Sequence, residues 1–273
     1  MPEVTRIEKW VNQSDIDYYA HFIKAWIAFN AWYRENNPKI SNDRTIINKL
    51  KKEGNHFKSA IVSLLSNEDE KSKLFRNEVA NLHTTLKRAQ ISFPHLENPD
   101  YVILCSEVCI EKNPNLYCPQ DIQKNKITYH VQAYEKPAPN KPKYVITIKN
   151  ISSTLFSCVD LQDFSIEKLK VKLDDSKCSA TQKATILSLY EKINPWYPTT
   201  ILYNPDEERE EDKTQCGETP FSSDKGKIAS GIIEILYLLR NKLMHGELDP
   251  TKETSLVYKS AYNILLAAIE KLL

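Results

Sequence analysis

The sequence predicts a mainly α fold, a helical bundle carrying an inserted small antiparallel β-rich module. Three observations carry that expectation. Apolar residues recur at helical spacing in the first third and again near the end of the chain. Short β-branched and aromatic runs between Pro- and Asn-rich loops occupy the middle. The 273 residues include five Gly and no glycine-rich phosphate loop or dinucleotide fingerprint.

Taken in order, residues 14–37 begin with Ser14 as a cap and place Tyr19, Phe22, Ile23, Trp26, Ile27, Phe29 and Tyr33 on one broad apolar face. Helical pattern continues over 43–65 and 68–89, interrupted near Gly54-Asn55 and at "SNEDE". After Pro94 come the strand-like runs "YVILCSEVCI", "KITYHVQAY" and "KYVITIKNI". Helical pattern resumes near 164 and at 179–193. Residues 194–224 hold four Pro and the run "DEEREED", a stretch without periodicity. Two helices close the chain, at 224–246 and 252–272, the second with Val257, Ala261, Ile264, Leu265, Ala268 and Leu272 in one stripe. The organisation expected is therefore bundle helices over 1–92, the β-rich insert over 93–160, and bundle helices again over 161–273.

Composition sets bounds on function. Apolar residues at 41% supply a core, and a net charge of +1 means that nucleic-acid binding would need local patches, not a global field. No signal-peptide pattern and no apolar run of ~18 residues occur, so a soluble, cytoplasmic protein with reduced thiols is expected. Cys105, Cys109 and Cys118, with His95 or His130 nearby, lack a standard zinc spacing and are read as buried free thiols. Neither a metal nor a cofactor is expected.

The stretch "YLLRNKLMHGELDP", residues 237–250, carries the chemistry. On a helical wheel Ile228, Ile232, Ile235, Leu236, Leu239 and Leu243 form a core face. Arg240, Asn241 and His245 lie on the other side, among Ile233, Tyr237, Leu238 and Met244. A helix apolar on both sides must be covered on both, by this chain or by a second copy. The plain alternative is a polar helix end with cations at the C-terminal dipole.

"RNKLMHGE" fits the R-x4-6-H motif, with Asn directly after the Arg, and resembles that of the HEPN superfamily (higher eukaryotes and prokaryotes nucleotide-binding domains). The α-helical bundle, the motif at the end of a late helix and one closing amphipathic helix are similar too. The resemblance covers the helical parts and leaves out the β-rich insert and the acidic loop. It implies a metal-independent endoribonuclease working as a homodimer on RNA, in prokaryotic defence or toxin-like RNA degradation, with a regulatory partner protein as a further implication. The alternative is a catalytically inactive HEPN-like module that binds nucleic acid, a nucleotide or a partner. Some family members carry a Tyr two residues after the His, a site of modification by a partner enzyme. Glu247 stands there in this chain.

The residue types suit the chemistry. RNA brings its own 2′-OH nucleophile, so the protein needs an acid/base near neutrality and a cation for the phosphate, roles suited to His245 and Arg240. Asn241 would assist. "RNEVANLH", Arg76 to His83, is a looser copy of the pattern. Asn30, on the apolar face of the first helix, is read either as a brace for Arg240 or His245 or as an amide bonded to nearby backbone. Lys124, Lys126, Tyr129, Lys141 and Lys143, with Lys136, Lys149 and further aromatics, suit single-stranded RNA through phosphate contacts and stacking. A lysine-protected edge strand has the same composition. The run Asp206–Asp212 is read as an anionic tether able to cover Arg240.

Overall fold

A computed structural model describes residues 16–93, 100–135 and 142–273. Ser14, His95, Lys136 and Lys141 lie outside them. The described residues contain eight α-helices, a four-stranded antiparallel sheet and a two-stranded one. The helix-rich expectation with an antiparallel β module holds at that level. Among the described residues, no helix is long and apolar enough to cross a membrane.

The chain forms two compact units. The first takes described residues 16–93, 100–110 and 198–273. It holds α1 (Tyr18–Asn36), α2 (Asp43–Lys52), α3 (His56–Ser66) and α4 (Glu70–Ala89), and later α7 (Lys225–Met244) and α8 (Lys252–Glu270). Each begins on a side-chain cap: Asp17, Asn42, Asn55, Asp69, Asp224 and Thr251 accept a backbone N–H of the first turn. α8 packs along α4 and α1, while α7 packs on α2 and α3.

The aromatic residues of α1 follow helical spacing into the core. Phe22, Trp26, Phe29 and Tyr33 are buried, with Phe29 ringed by Trp26, Tyr33 and Phe57. α7 is enclosed on all sides along Ile228–Leu239. Its second apolar face is covered by this same chain: Ile233 is 1% exposed, and Tyr237 lies against Trp26 and under the Arg44 guanidinium. Gly231 permits one of these approaches, since a Cβ there would meet the Ile201 side chain at 2.5 Å.

The sheet unit takes described residues 111–135 and 142–197. Its strands β1 (Gln120–Lys124), β2 (Ile127–Ala133), β3 (Tyr144–Lys149) and β4 (Thr154–Cys158) pair in sequence order. Asn125 and Lys126, both at positive φ, make the two-residue turn that the strand twist favours. α5 (Ile166–Asp174) and α6 (Ala180–Lys192), expected with the C-terminal bundle, pack on this sheet instead. Their Leu169, Leu173, Ile186, Leu189 and Tyr190 share one core with Val131, Ile146 and Phe156. The run at 101–110 forms isolated bridges, Ser92 to Val102 and Val108 to Thr199, in the helical unit.

The acidic stretch is also ordered. Glu210–Asp212 form a 3₁₀ turn, followed by the hairpin β5 (Thr214–Cys216) and β6 (Thr219–Phe221). Cys105 and Cys216 are buried thiols pushed up to about 12 by burial; Cys118 is exposed, against the expectation of burial.

One charged group interrupts the apolar girdle of α7. Glu234, 2% exposed, accepts from Arg44 at 2.7 Å and from Lys51 at 2.5 Å. Lys51 also donates to the Cys109 carbonyl, and burial pulls its pKa down against the opposing pull of Glu234. Removing one partner of a buried pair strands the other charge. Glu234→Ala should therefore cost ~3–5 kcal/mol in urea unfolding, and adding Lys51→Met should recover part of it. A loss in Glu234→Ala below ~1 kcal/mol would mean that the pair behaves like a surface ion pair.

Candidate RNA-cleavage site at the end of the central helix

The C-terminal end of α7 is closed by a glycine cap. His245 is the C-cap residue, at φ −90° and ψ 0°, and Gly246 turns left-handed at φ +68°. Gly246 N–H bonds Leu243 O and Glu247 N–H bonds Lys242 O, the paired bonds of a Schellman motif. The turn is braced from α8, where the buried Tyr258 hydroxyl donates to Leu239 O at 2.7 Å. Tyr19 of α1 in turn bonds Thr254 in the first turn of α8 at 2.7 Å. The imidazole of His245 is exposed and forms no hydrogen bond among the described residues.

Arg240 stands one turn earlier and is four-fifths covered. Its Nη1 donates to Asn241 Oδ1 at 3.0 Å, so Asn241 orients the guanidinium. Its Nη2 lies 3.7 Å from Asp43 Oδ2, an ion pair too long for a hydrogen bond. Its Nε is buried and has no hydrogen-bond partner among the described residues. Asp43 itself is held tightly by Arg34, whose Nη1 donates to Ser41 O at 2.8 Å. The Tyr33 hydroxyl is held well above its ordinary range, by burial first and by the Asp43 carboxylate next. The motif arginine is thus restrained from two sides, with donor capacity left over.

Asp43 and Arg34 carry no functional signal in the sequence, and Tyr33 reads there only as part of the apolar face of the first helix. Their signal is non-local, because Asp43 reads as the first-turn acid of its own helix, capped by Asn42. Asn30 shares a face of α1 with Trp26 and Tyr33, between a residue that meets Tyr237 and one that feels Arg240. It is half-buried, and its amide has no hydrogen bond among the described residues. Glu247, past the motif, pairs with Lys242 at 3.2 Å.

The proposed RNA-binding lysines are not gathered into one patch. Lys124 and Lys126 sit exposed at the β1–β2 turn, and Lys143 lies beyond the far end of β2, roughly 20 Å along the strand. Lys143 is 4.0 Å from Asp163. Tyr129 is corrected outright: it is 3% exposed and faces the sheet core with Val131 and Ala133, where it cannot stack on a base. These residues belong to the sheet unit, and the motif to the helical unit.

The acidic run does not cover Arg240. It precedes Lys225 at the other end of α7, and fifteen residues of helix separate Lys225 from Arg240, ~22 Å of axial rise. Glu208 is occupied locally: burial would raise its pKa, but the Ser223 amide and Ser222 hydroxyl outweigh that and hold it below the usual range.

No protein-family model, curated protein or solved structure matches this chain.

The looser Arg76–His83 pair is built differently. Arg76 is fixed by the Asn67 carbonyl at 2.5 Å and Glu68 at 3.2 Å. His83 lies mid-helix against Phe221, its Nδ1 buried without a hydrogen-bond partner. Burial, then Lys87, lowers the His83 pKa below 6.5. The unfolded chain then binds more protons between the two values, so stability rises with pH there. It should be fully present above ~6.5 and lost as pH falls through the lower folded value. In thermal melts from about pH 7.5 to 5.5, His83→Leu should lose less stability than the parent. An identical loss in both proteins would assign the effect to other groups.

Proposed function

We propose that this protein is a metal-independent endoribonuclease of HEPN type. The observation that carries the reading is the pairing at the end of α7. Arg240 is oriented by Asn241 with a fifth of its side chain exposed, and His245, five residues on, is exposed at the helix cap. In this reading His245 takes the proton of the 2′-OH, and the freed oxygen attacks the adjacent phosphorus. Arg240 forks onto the phosphate oxygens as charge builds, and Asn241 keeps its plane fixed. The P–O5′ bond breaks, leaving a 2′,3′-cyclic phosphate and a 5′-OH. The leaving oxygen needs a proton, and one motif brings one imidazole. A second protomer would supply the other, through the exposed end of α7 with Met244 and His245 and not through the buried Ile233 and Tyr237. The reading needs no cofactor. RNA degradation in prokaryotic defence or a toxin-like role, under a regulatory partner in the cytoplasm, is the setting it implies.

One observation favours a second reading, a catalytically silent HEPN-like domain that binds nucleic acid, a nucleotide or a partner protein. Asp43 already offers Arg240 a carboxylate at 3.7 Å, where a scissile phosphate would bring the same charge.

Incubation with total RNA separates the two. Cleavage should persist in EDTA, spare DNA and leave cyclic-phosphate ends. Arg240→Ala and His245→Ala should each lower the rate by ~10²-fold or more while melting like the parent, since neither side chain belongs to the apolar core. Binding without cleavage would select the silent domain. Cleavage surviving in both variants, or strict Mg²⁺ dependence, would falsify the nuclease assignment.

A further inference from the structure

A cavity lies away from the motif. It lies in the helical unit between the α3–α4 junction, α4 and the β5 hairpin, with a volume of about 620 Å³, and Lys225 at the start of α7 lines it. Leu65 is the sole apolar side chain larger than a methyl in its lining. Pockets for apolar ligands are lined mostly by hydrophobic and aromatic groups, so this one suits a small, polar ligand.

Its charges are unevenly engaged. Arg76 is held by Glu68 and by the Asn67 carbonyl, and Lys213 is held by Glu210 at 3.0 Å. Lys73 and Lys225 form no ion pair among the described residues, and neither do the lining acids Glu211 and Asp212. Thr214 is 3% exposed, lines the same cavity, and its hydroxyl has no hydrogen-bond partner among the described residues. A buried hydroxyl without a partner is uncommon and asks for one.

From this juxtaposition we infer that the cavity is a binding site for a small phosphorylated sugar, free or as the sugar phosphate of a nucleotide. Lys73 and Lys225 take the phosphate as mobile point charges, and the fixed Arg76 guanidinium backs them. The carboxylates of Glu211 and Asp212 accept from sugar hydroxyls, which a bare phosphate cannot supply. A bare anion meets two repelling carboxylates and a bare sugar leaves two ammonium groups unused, so the combination is selected over either part. The site stands ~22 Å along α7 from Arg240 and does not depend on the nuclease reading.

Calorimetric titration of the full chain with ribose 5-phosphate, AMP, inorganic phosphate and ribose tests it. Ribose 5-phosphate or AMP should bind with Kd below ~1 mM, at least ~10-fold tighter than inorganic phosphate, with ribose silent. Tighter binding of AMP than of ribose 5-phosphate would identify a nucleotide as the source, and the reverse order a free sugar phosphate. Lys73→Glu with Lys225→Glu should weaken both by ~10-fold or more, and Asp212→Asn should weaken the sugar phosphates but not inorganic phosphate. His245→Ala should bind like the parent. Thermal melts of each variant establish that it is folded. No binding of either sugar phosphate at ~10 mM, or unchanged binding in the folded double-lysine variant, would overturn the assignment.

Discussion

Glu234 sits in the middle of a helix enclosed on every side, and a carboxylate there must be neutralised or it destabilises the bundle. The two cations that meet it come from one element. Lys51 and Arg44 lie two turns apart on α2 and reach Glu234 together, with Arg44 continuing over the Tyr237 ring. That clamp fixes both the rotation and the sliding position of α2 against α7. The order of contacts is antiparallel: Lys51 meets Glu234, Arg44 meets Glu234 and Tyr237, and Asp43 meets Arg240. Eight residues of α2 from Lys51 back to Asp43 rise ~12 Å, and six of α7 from Glu234 on to Arg240 rise ~9 Å, a difference within side-chain reach. A neutralisation forced in the core therefore delivers an acid to the motif arginine at the surface end.

The helices were legible because caps and 3.6-residue periodicity act locally. Asn42, Asn55, Asp69 and Thr251 stand where apolar pattern begins, and each caps its helix. What covers a face is not local. The apolar back of α7 reads equally well as a subunit interface, and only tertiary packing buries Ile233 and sets Tyr237 against α1 and α2. The same limit explains α5 and α6, whose apolar stripes fit a bundle or a sheet. Tyr129 is a different case. Its two-residue alternation with Val131 and Ala133 already puts it on the inward face, so its burial is legible in the register although its composition suits RNA. Glu234 likewise stood in plain view inside "IIEILYLL", where a lone acid in an apolar helix asks for a buried partner.

The acidic run shows how charge count misleads when geometry is unknown. Six acids in seven residues suggested a mobile tether, yet Glu208 is consumed by Ser222 and Ser223, and Glu210 by Lys213. The hairpin that follows packs on α4, where Gly217, at φ +54°, lies so close that a Cβ would meet Ala80 at 3.2 Å. Short local bonds and one close backbone approach order a segment whose composition alone reads as solvated loop.

The Arg76–His83 and Arg240–His245 pairs share a pattern and differ in physics. Arg76 spends its donors on a carbonyl and a carboxylate near the start of its helix, and His83 faces an aromatic ring in a half-buried setting that disfavours its charged form. Arg240 keeps an unsatisfied Nε and meets Asp43 only at long range, while the Schellman turn at Gly246 stops the helix just where His245 can face solvent. A guanidinium that is to bind phosphate must be oriented and yet uncommitted, and an imidazole that is to exchange protons must be reachable. Spacing in sequence cannot separate those cases, because commitment is set by Asp43, Arg34 and the cap geometry. The distinction between the pairs lies in which donors are already used.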